Sequence, residues 1–236
     1  MFNYFPETIS TYGGKLDHVY WMIFYIVGFW FLLSEGVLFY FIFRYRQKKN
    51  PKATYVSGES LKMASWVLIP AAIVLALDLG IDFAGGSAFH TYTTVPPGEY
   101  AVKVTGKQFN WNFTYPGPDN QFDTEDDLTI ENELHVPVNK QIRLILESQD
   151  VLHSFFIPVI RLKQDVIPGR KISVWFQAIK TSDSTENGYY EIACAELCGY
   201  GHYTMRGFLY VHSQEDYQKW VEQNWQPATE ESEQAS

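Results

Sequence analysis

Soft metal ligands are concentrated in one short stretch and at one upstream position. The stretch from Cys194 to Met205 reads C-A-E-L-C-G-Y-G-H-Y-T-M and holds both cysteines of the chain. Within it, His202 follows the second cysteine by four residues, and His153 lies upstream in D-V-L-H-S-F-F. Thiolate, imidazole and thioether are the ligand types of copper electron-transfer sites. Their spacing therefore predicts a copper centre.

Other interpretations of Cys194 and Cys198 stay open on residue type alone. In an oxidising compartment, two cysteines often form a disulfide. Sulfur and nitrogen ligands together are also typical of tetrahedral zinc. A copper-delivery thiol protein can space its cysteines in this way, but its distant histidine usually follows them, whereas His153 precedes them. The histidines and the methionine at fixed offsets favour an electron-transfer copper site.

The whole pattern resembles the dinuclear CuA site of cytochrome c oxidase subunit II. In that family both cysteine sulfurs bridge two coppers, and each copper adds one histidine and one weak axial ligand. The resemblance implies these copper ligands: His153, Cys194, the backbone carbonyl of Glu196, Cys198, His202 and Met205. It also implies that the carboxylate of Glu196 contacts a magnesium ion shared with the catalytic subunit. Because cysteine loses its proton on binding metal, such a site assembles with proton release.

Two apolar segments predict a membrane anchor. Residues 19–43 and 63–84 are each long enough for a transmembrane helix, which needs about 20 residues. A cleaved signal peptide is disfavoured for the first segment, because it is too long and no cleavage site follows it. Basic residues are packed into the segment 44–62, so the positive-inside rule predicts a cytoplasmic loop with both chain ends outside.

The remaining boundaries follow from composition. Residues 1–18 are expected to form an outside N-terminal segment. Residues 85–98 are rich in Gly, Ser, Thr and Pro and are expected to form a linker. The acidic residues 227–236 are expected to be a disordered tail.

Residues 99–226 predict an all-β domain. Short β-rich runs separated by Gly, Pro and Asn turns are typical of a Greek-key sandwich. The predicted strands are Tyr100–Thr105, Gln108–Tyr115, Leu128–Val136, Ile142–Leu146, Lys171–Ala178, Tyr189–Ala193 and Arg206–His212. The run from Ser213 to Asp216 resembles a capping box that opens a terminal helix. The expected fold class is a two-helix transmembrane hairpin plus an all-β cupredoxin-like Greek-key sandwich.

The resemblance to subunit II covers this whole architecture, and L-K-Q-D-V-I-P-G-R from Leu162 and W-V-L-I-P from Trp66 support it. It implies a subunit of cytochrome c oxidase in a bacterial inner membrane, with the copper domain on the periplasmic side. Electrons would pass from cytochrome c, or a cytochrome c domain, to haem in catalytic subunit I, which reduces oxygen to water with proton pumping. A copper-containing nitric oxide reductase and a membrane-tethered copper carrier are the alternatives. Quinol oxidase subunits of this fold lack the copper ligands.

The chain departs from the family at two positions. The family usually has tryptophan, as the point where electrons enter, after the glutamine of G-K-Q-F-N-W-N-F-T-Y; here Phe109 holds that position and Trp111 follows. We predict that Phe109, Trp111 and Tyr200 form a patch over the copper loop that contacts the donor, with a core position for Trp111 as the alternative. Met63 replaces a glutamate that the family often has near its proton uptake point, so that role is not carried over.

Charge points to a cationic partner or to simple solubility. The net charge is −9, with no basic stripe, which disfavours nucleic-acid binding. After Val95 the chain has 21 acidic and 11 basic residues. The acidic run from Asp119 to Glu133 would steer a basic cytochrome c. A solvated acidic loop explains the same residues equally well.

Overall fold

The computed structural model of the protein describes residues 5–47, 52, 55–98 and 100–225. The chain divides into two compact units, one of which is Lys15–Thr91, while the other joins the residues before and after it. The expected tail 227–236 and part of the basic loop lie outside the described residues.

Two long apolar helices make up the first unit. Helix α1 spans Gly13–Arg44 and helix α2 spans Leu61–Thr93, and both are long and apolar enough to cross a membrane. The expectation of a linker at residues 85–98 is wrong for its first part, because α2 continues to Thr93. The helix ends just before Pro96 and Pro97, whose rings and missing N–H groups are incompatible with a helix interior.

The second unit contains a β-sandwich of two five-stranded sheets. Its strands, in chain order, are β1 (Tyr100–Lys107), β2 (Asn110–Tyr115), β3 (Leu128–Glu131), β4 (Glu133–Pro137), β5 (Ile142–Ser148), β6 (His153–Ile157), β7 (Leu162–Val166), β8 (Ile172–Phe176), β9 (Tyr190–Cys194) and β10 (Arg206–His212). The first sheet has the order β3–β2–β1–β5–β8, and the second has the order β4–β10–β9–β6–β7. Alternate residues of each sheet are buried between the two. The expected fold class, two apolar helices and a cupredoxin-like β-sandwich, is confirmed.

Asn132 divides what the sequence predicts as one strand into β3 and β4, which belong to different sheets. Its φ is 62°, a left-handed conformation that Asn adopts more readily than most residues. Its side-chain oxygen accepts the backbone N–H of Trp111 at 2.9 Å. Its carbonyl accepts the N–H of Phe208 at 2.7 Å. The bend therefore fixes Trp111 of one sheet against β10 of the other.

The N-terminal segment before α1 packs into the sandwich. Ile9 and Tyr12 are buried. The N–H of Ile9 donates to the carbonyl of Val159 at 2.9 Å, and the N–H of Ile179 donates to the carbonyl of Ile9 at 2.7 Å. The hydroxyl of Tyr12 donates to the carbonyl of Trp175 at 3.1 Å. Residues 9–12 therefore form part of the same folded unit as the strands.

A C-terminal helix, α3 (Gln214–Asn224), follows β10. Ser213 caps it, because its hydroxyl oxygen accepts the N–H of Asp216 at 3.1 Å, so the predicted helix start is confirmed, with the serine half of the capping box. Trp220 of α3 covers a group of stacked rings on the second sheet. We call this group the histidine stack. It comprises the rings of His135, Tyr210, His212 and Trp220, together with Glu133, whose carboxylate contacts His135.

Candidate metal centre

Strand pairing brings the two ligand-bearing loops together at one end of the sandwich. His153 begins β6, and Cys194 ends β9. These strands run antiparallel, with Phe155 opposite Cys194. The N–H of Cys194 also donates to the carbonyl of Met205 at 3.2 Å, just before β10. The long cysteine loop between β9 and β10 is therefore closed at its base beside the His153 loop.

The thiol of Cys194 faces three potential ligand atoms. Its sulfur lies 3.8 Å from the sulfur of Cys198 and 3.9 Å from Nδ1 of His153. The thiol donates to the backbone carbonyl of Glu196 at 3.2 Å. Ligand atoms of His153 and the two cysteines all lie within 4.8 Å of one another, close enough to hold a metal ion.

The thiol of Cys198 has an equivalent set of neighbours. Its sulfur lies 3.6 Å from Nδ1 of His202 and 3.7 Å from Sδ of Met205. Both cysteines are buried free thiols, and Met205 is buried beside them. The structure thus brings together all the residues that the sequence suggested as copper ligands.

The donor set fits a dinuclear copper centre. Burial, and then the neighbouring Cys194, raises the pKa of the Cys198 thiol to about 11. Without a cation beside it, the Cys198 thiol therefore keeps its proton at neutral pH. Soft sulfur and imidazole donors with weak axial groups are the set that copper favours. Metal binding at this position would displace the thiol protons.

Asp150 orients His153, a role that the sequence analysis missed. Nε2–H of His153 donates to Oδ1 of Asp150 at 2.8 Å, which leaves Nδ1 directed at Cys194. Burial raises the pKa of Asp150, but hydrogen bonds from His153 and from backbone N–H groups outweigh it, so the pKa is lowered overall. Metal-ligating histidines commonly have such a carboxylate behind them. An acidic residue three positions before the histidine, in D-V-L-H, was the available signal.

Trp111 does not lie on the surface. It is fully buried, with its ring 5.8 Å from the ring of His153 and 5.1 Å from that of Phe155. The expectation that Trp111 contacts the donor is therefore wrong: in β2 its side chain points into the core behind the site. Phe109 is half-buried against the cysteine loop, and Tyr200 is 95% exposed on that loop. Donor contact by these two stays a prediction.

Exposed apolar side chains are concentrated around the ligand loops. Among the described residues from 100 to 225, five large apolar side chains are exposed, and only Ile179 is outside the ligand loops. The other four, which we call the loop patch, are Leu152, Leu197, Tyr200 and Tyr203. Exposed apolar groups of this kind commonly mark an interaction surface.

The acidic loop between β2 and β3 lies away from the ligand loops. Strand β2 begins next to Gln108, which contacts the cysteine loop, and ends at Tyr115. At about 3.3 Å per residue, β2 separates its two ends by roughly 17 Å. The carbonyl of Asp126 in the acidic loop accepts Nε1–H of Trp225, just after α3. The surface next to the site is therefore formed by the apolar loop patch, and the acidic loop is not part of it.

The fold and the donor set together define a cupredoxin-like metalloprotein with a two-helix apolar anchor. A sequence model described as cytochrome c oxidase subunit II, periplasmic domain, matches residues 100–210. The alternative cytochrome c oxidase subunit 2 of Bradyrhizobium diazoefficiens is 32% identical over 91% of this chain and 82% of its own length. The cytochrome c oxidase subunit 2 of Synechocystis sp. is 31% identical over 95% of this chain and 77% of its own length. The chain belongs to the cytochrome c oxidase subunit II family.

A solved structure is also similar to the sandwich. The periplasmic domain of subunit II of cytochrome oxidase from Bradyrhizobium japonicum is 34% identical. The match covers 56% of this chain and 96% of that one, with a TM-score of 0.48.

The subunit II family carries CuA copper, and the cluster of His153, Cys194 and Cys198 is compatible with it.

Proposed function

We propose that this chain is the electron-accepting subunit of a cytochrome c oxidase. Two coppers held by this chain as a CuA centre would supply the one-electron chemistry between cytochrome c and the haem of catalytic subunit I, where oxygen would be reduced to water with proton pumping. The observation that carries this proposal is the pair of buried thiols 3.8 Å apart, each with one imidazole nitrogen beside it.

The chain supplies a complete set of ligands for two metal ions. The proposed ligand atoms are Sγ of Cys194 and Cys198, Nδ1 of His153 and His202, Sδ of Met205 and the carbonyl oxygen of Glu196. Copper supplies a one-electron carrier when it is bound there. The buried sulfurs would balance the charge of the metal ions as thiolates, and the surrounding core excludes water. The half-buried carboxylate of Glu196 is proposed to hold magnesium together with ligands from the catalytic subunit.

The N-terminal contacts support a topology with both ends on the periplasmic side. Residues 9–12 and the sandwich form one folded unit, so they lie on the same side of any membrane that α1 and α2 cross. Residues 44–62, with their excess of Lys and Arg, would then form the cytoplasmic loop. We propose a bacterial inner membrane as the location.

The loop patch, with Phe109 beside it, is the proposed docking surface for the cytochrome c donor. Tyr200 and Tyr203 extend from the loop that carries the thiols, so a docked donor would lie close to them. The few aromatic residues that dominate such a docking surface each cost about 2 kcal/mol or more of binding free energy when truncated.

Metal content and paramagnetic resonance test the proposal. The full chain is purified in detergent, loaded with copper and compared with its Cys198→Ser variant. We expect two coppers per chain and the hyperfine pattern of one electron shared by both nuclei, and we expect the variant to lose both. One copper with the pattern of a single nucleus would contradict the dinuclear centre. In the assembled complex, consumption of oxygen with reduced cytochrome c tests the reaction itself.

A further inference from the structure

Gln108 contacts both loops that carry the candidate copper ligands. It lies in the turn between β1 and β2. Its side-chain Nε2 donates to the carbonyl of Cys198 at 2.6 Å. Its backbone N–H donates to Oδ2 of Asp150 at 2.7 Å. One residue is therefore hydrogen-bonded to the cysteine loop and to the loop that precedes β6.

Asp150 transmits the second contact to His153. Its other oxygen, Oδ1, accepts the backbone N–H of Val151 at 2.6 Å and Nε2–H of His153 at 2.8 Å. Donors on both oxygens hold the carboxylate in one orientation. The ring of His153 is then held with Nδ1 towards Cys194. A displacement of Gln108 would therefore shift His153, through Asp150, as well as Cys198.

The cysteine loop lies directly against Gln108 because two glycines leave room for it. A Cβ on Gly199 would lie 2.7 Å from Nε2 of Gln108, and a Cβ on Gly201 would lie 2.5 Å from the ring of Phe109. Gly199 also has a φ of +134°, which L side chains rarely adopt. The sequence G-Y-G is thus shaped to fit the turn at Gln108 and Phe109.

We propose that Gln108 is a positioning residue that fastens the cysteine loop to the His153 loop, so that Cys198 and His153 are correctly spaced before copper binds. The proposal deepens the proposed copper function and rests on it. Outer partners of metal ligands typically contribute about 10- to 100-fold to metal affinity, because they fix ligand orientation in advance. Because Gln108 is an exposed residue and contributes little buried packing, its hydrogen bonds carry the effect.

The test compares Gln108→Met with Gln177→Met in the full chain. Both changes remove a side-chain amide that donates to a backbone carbonyl of another segment. Nε2 of Gln177 donates to the carbonyl of Asn139 at 3.1 Å, and neither residue is a candidate ligand. We measure copper affinity by competition with a chromophoric chelator, and the hyperfine pattern by paramagnetic resonance.

Gln108→Met is expected to weaken copper binding by about 10-fold or more and to change the hyperfine pattern. Gln108→Glu should behave in the same way, because it keeps the shape but lacks the N–H donor. Gln177→Met should leave both measurements unchanged. Equal copper affinity in Gln108→Met and the wild type, or an equal loss in Gln177→Met, would overturn the proposal.

Backbone amide exchange in the copper-free chain separates this proposal from the copper function. Removal of the fastening should speed exchange at His202 and Thr204, whose N–H groups donate to the carbonyls of Gly199 and Gly201, in Gln108→Met relative to Gln177→Met. If the wild type binds no copper pair but the two variants still differ in amide exchange, the proposed copper function is wrong and the proposed role of Gln108 in holding the loops together is supported. If exchange is the same in both variants, the fastening fails whatever copper does.

Discussion

The metal centre and the histidine stack each contain two histidines, but they use the imidazole nitrogens differently. At the metal centre, Nε2 of His153 is bound to Asp150, and Nδ1 faces the sulfur of Cys194. In the stack, Nε2 of His135 lies 3.3 Å from Glu133, and Nδ1 lies 2.8 Å from Nε2 of His212. A carboxylate therefore orients one histidine in each place, but the second nitrogen of His153 faces a thiol, whereas that of His135 is bonded to another imidazole.

The surroundings reinforce this difference. The ring of His135 is stacked with Tyr210 and Trp220, at centroid distances of 4.6 Å each. This packing joins α3 to the sheet. Around His153, by contrast, Nδ1 faces the thiol of Cys194, which lies beside the second thiol, that of Cys198. Two histidines thus make a metal site only where the fold directs spare nitrogens at other donors, and otherwise they act as core side chains.

The largest contrast is expected from alanine at the two histidines. His153→Ala should abolish assembly of the copper pair, because it removes one imidazole ligand. His135→Ala should leave the copper stoichiometry intact but lower the free energy of unfolding by about 2 kcal/mol, because stacked contacts are lost. Metal content and chemical denaturation measure the two effects. Loss of copper in His135→Ala, with the fold intact, would show that the stack is coupled to the centre.

A methyl group at Gly106 should disturb the metal centre from behind. A Cβ there would lie 2.9 Å from the ring of Trp111 and 3.1 Å from Cδ2 of His153. Gly106→Ala should therefore cost about 1–3 kcal/mol of stability through overpacking and weaken copper binding by displacing the imidazole. Thr105→Ala, one residue away in β1, is the matched control and should keep copper. Unchanged copper affinity in Gly106→Ala would mean that Trp111 yields instead of His153.

The sequence predicts the chemistry of this protein better than its local geometry. The clustering of the candidate ligands was predictable because their types and spacing are unusual, and the helices were predictable because their apolar runs are long. Asn132, which divides one predicted strand between two sheets, was not predictable, since only tertiary contacts decide where a strand changes sheet. The packing of Ile9 and Tyr12 into the sandwich depends on partners far along the chain. The predicted surface position of Trp111 was wrong because sequence alone does not distinguish an aromatic residue on a docking surface from one in the core.

A smaller effect should separate the two orienting carboxylates. Asp150→Asn keeps an oxygen that accepts from His153, but its NH₂ group would then face the N–H of Gln108, donor against donor. The carboxamide would therefore be held less firmly, and copper affinity should fall by about 10-fold. Glu133→Gln, on a side chain that is 45% exposed, should leave copper affinity unchanged. The chelator competition measures both. Equal affinities in the two variants would mean that Asp150 does not tune the centre.

The smallest expected effect is a pH dependence of stability that comes from the histidine stack alone. Burial, and then the neighbouring His212, lowers the pKa of His135 below its ordinary value of 6.5, although the hydrogen bond to Glu133 opposes this. Burial also lowers the pKa of His212, against the attraction of Asp183 and Asp216. The folded chain therefore binds these protons more weakly than the unfolded chain.

Stability from His135 is then fully present above the unfolded pKa and falls as the pH drops from there towards the folded pKa. One such histidine changes the free energy of unfolding by on the order of 1 kcal/mol between pH 7.5 and 5.5. His135→Phe keeps a flat ring between Tyr210 and Trp220 but cannot titrate, so its stability should vary less over that range. Denaturation midpoints of the two chains at several pH values measure the difference. Parallel curves would show that protonation elsewhere, and not in the stack, sets the acid sensitivity of the fold.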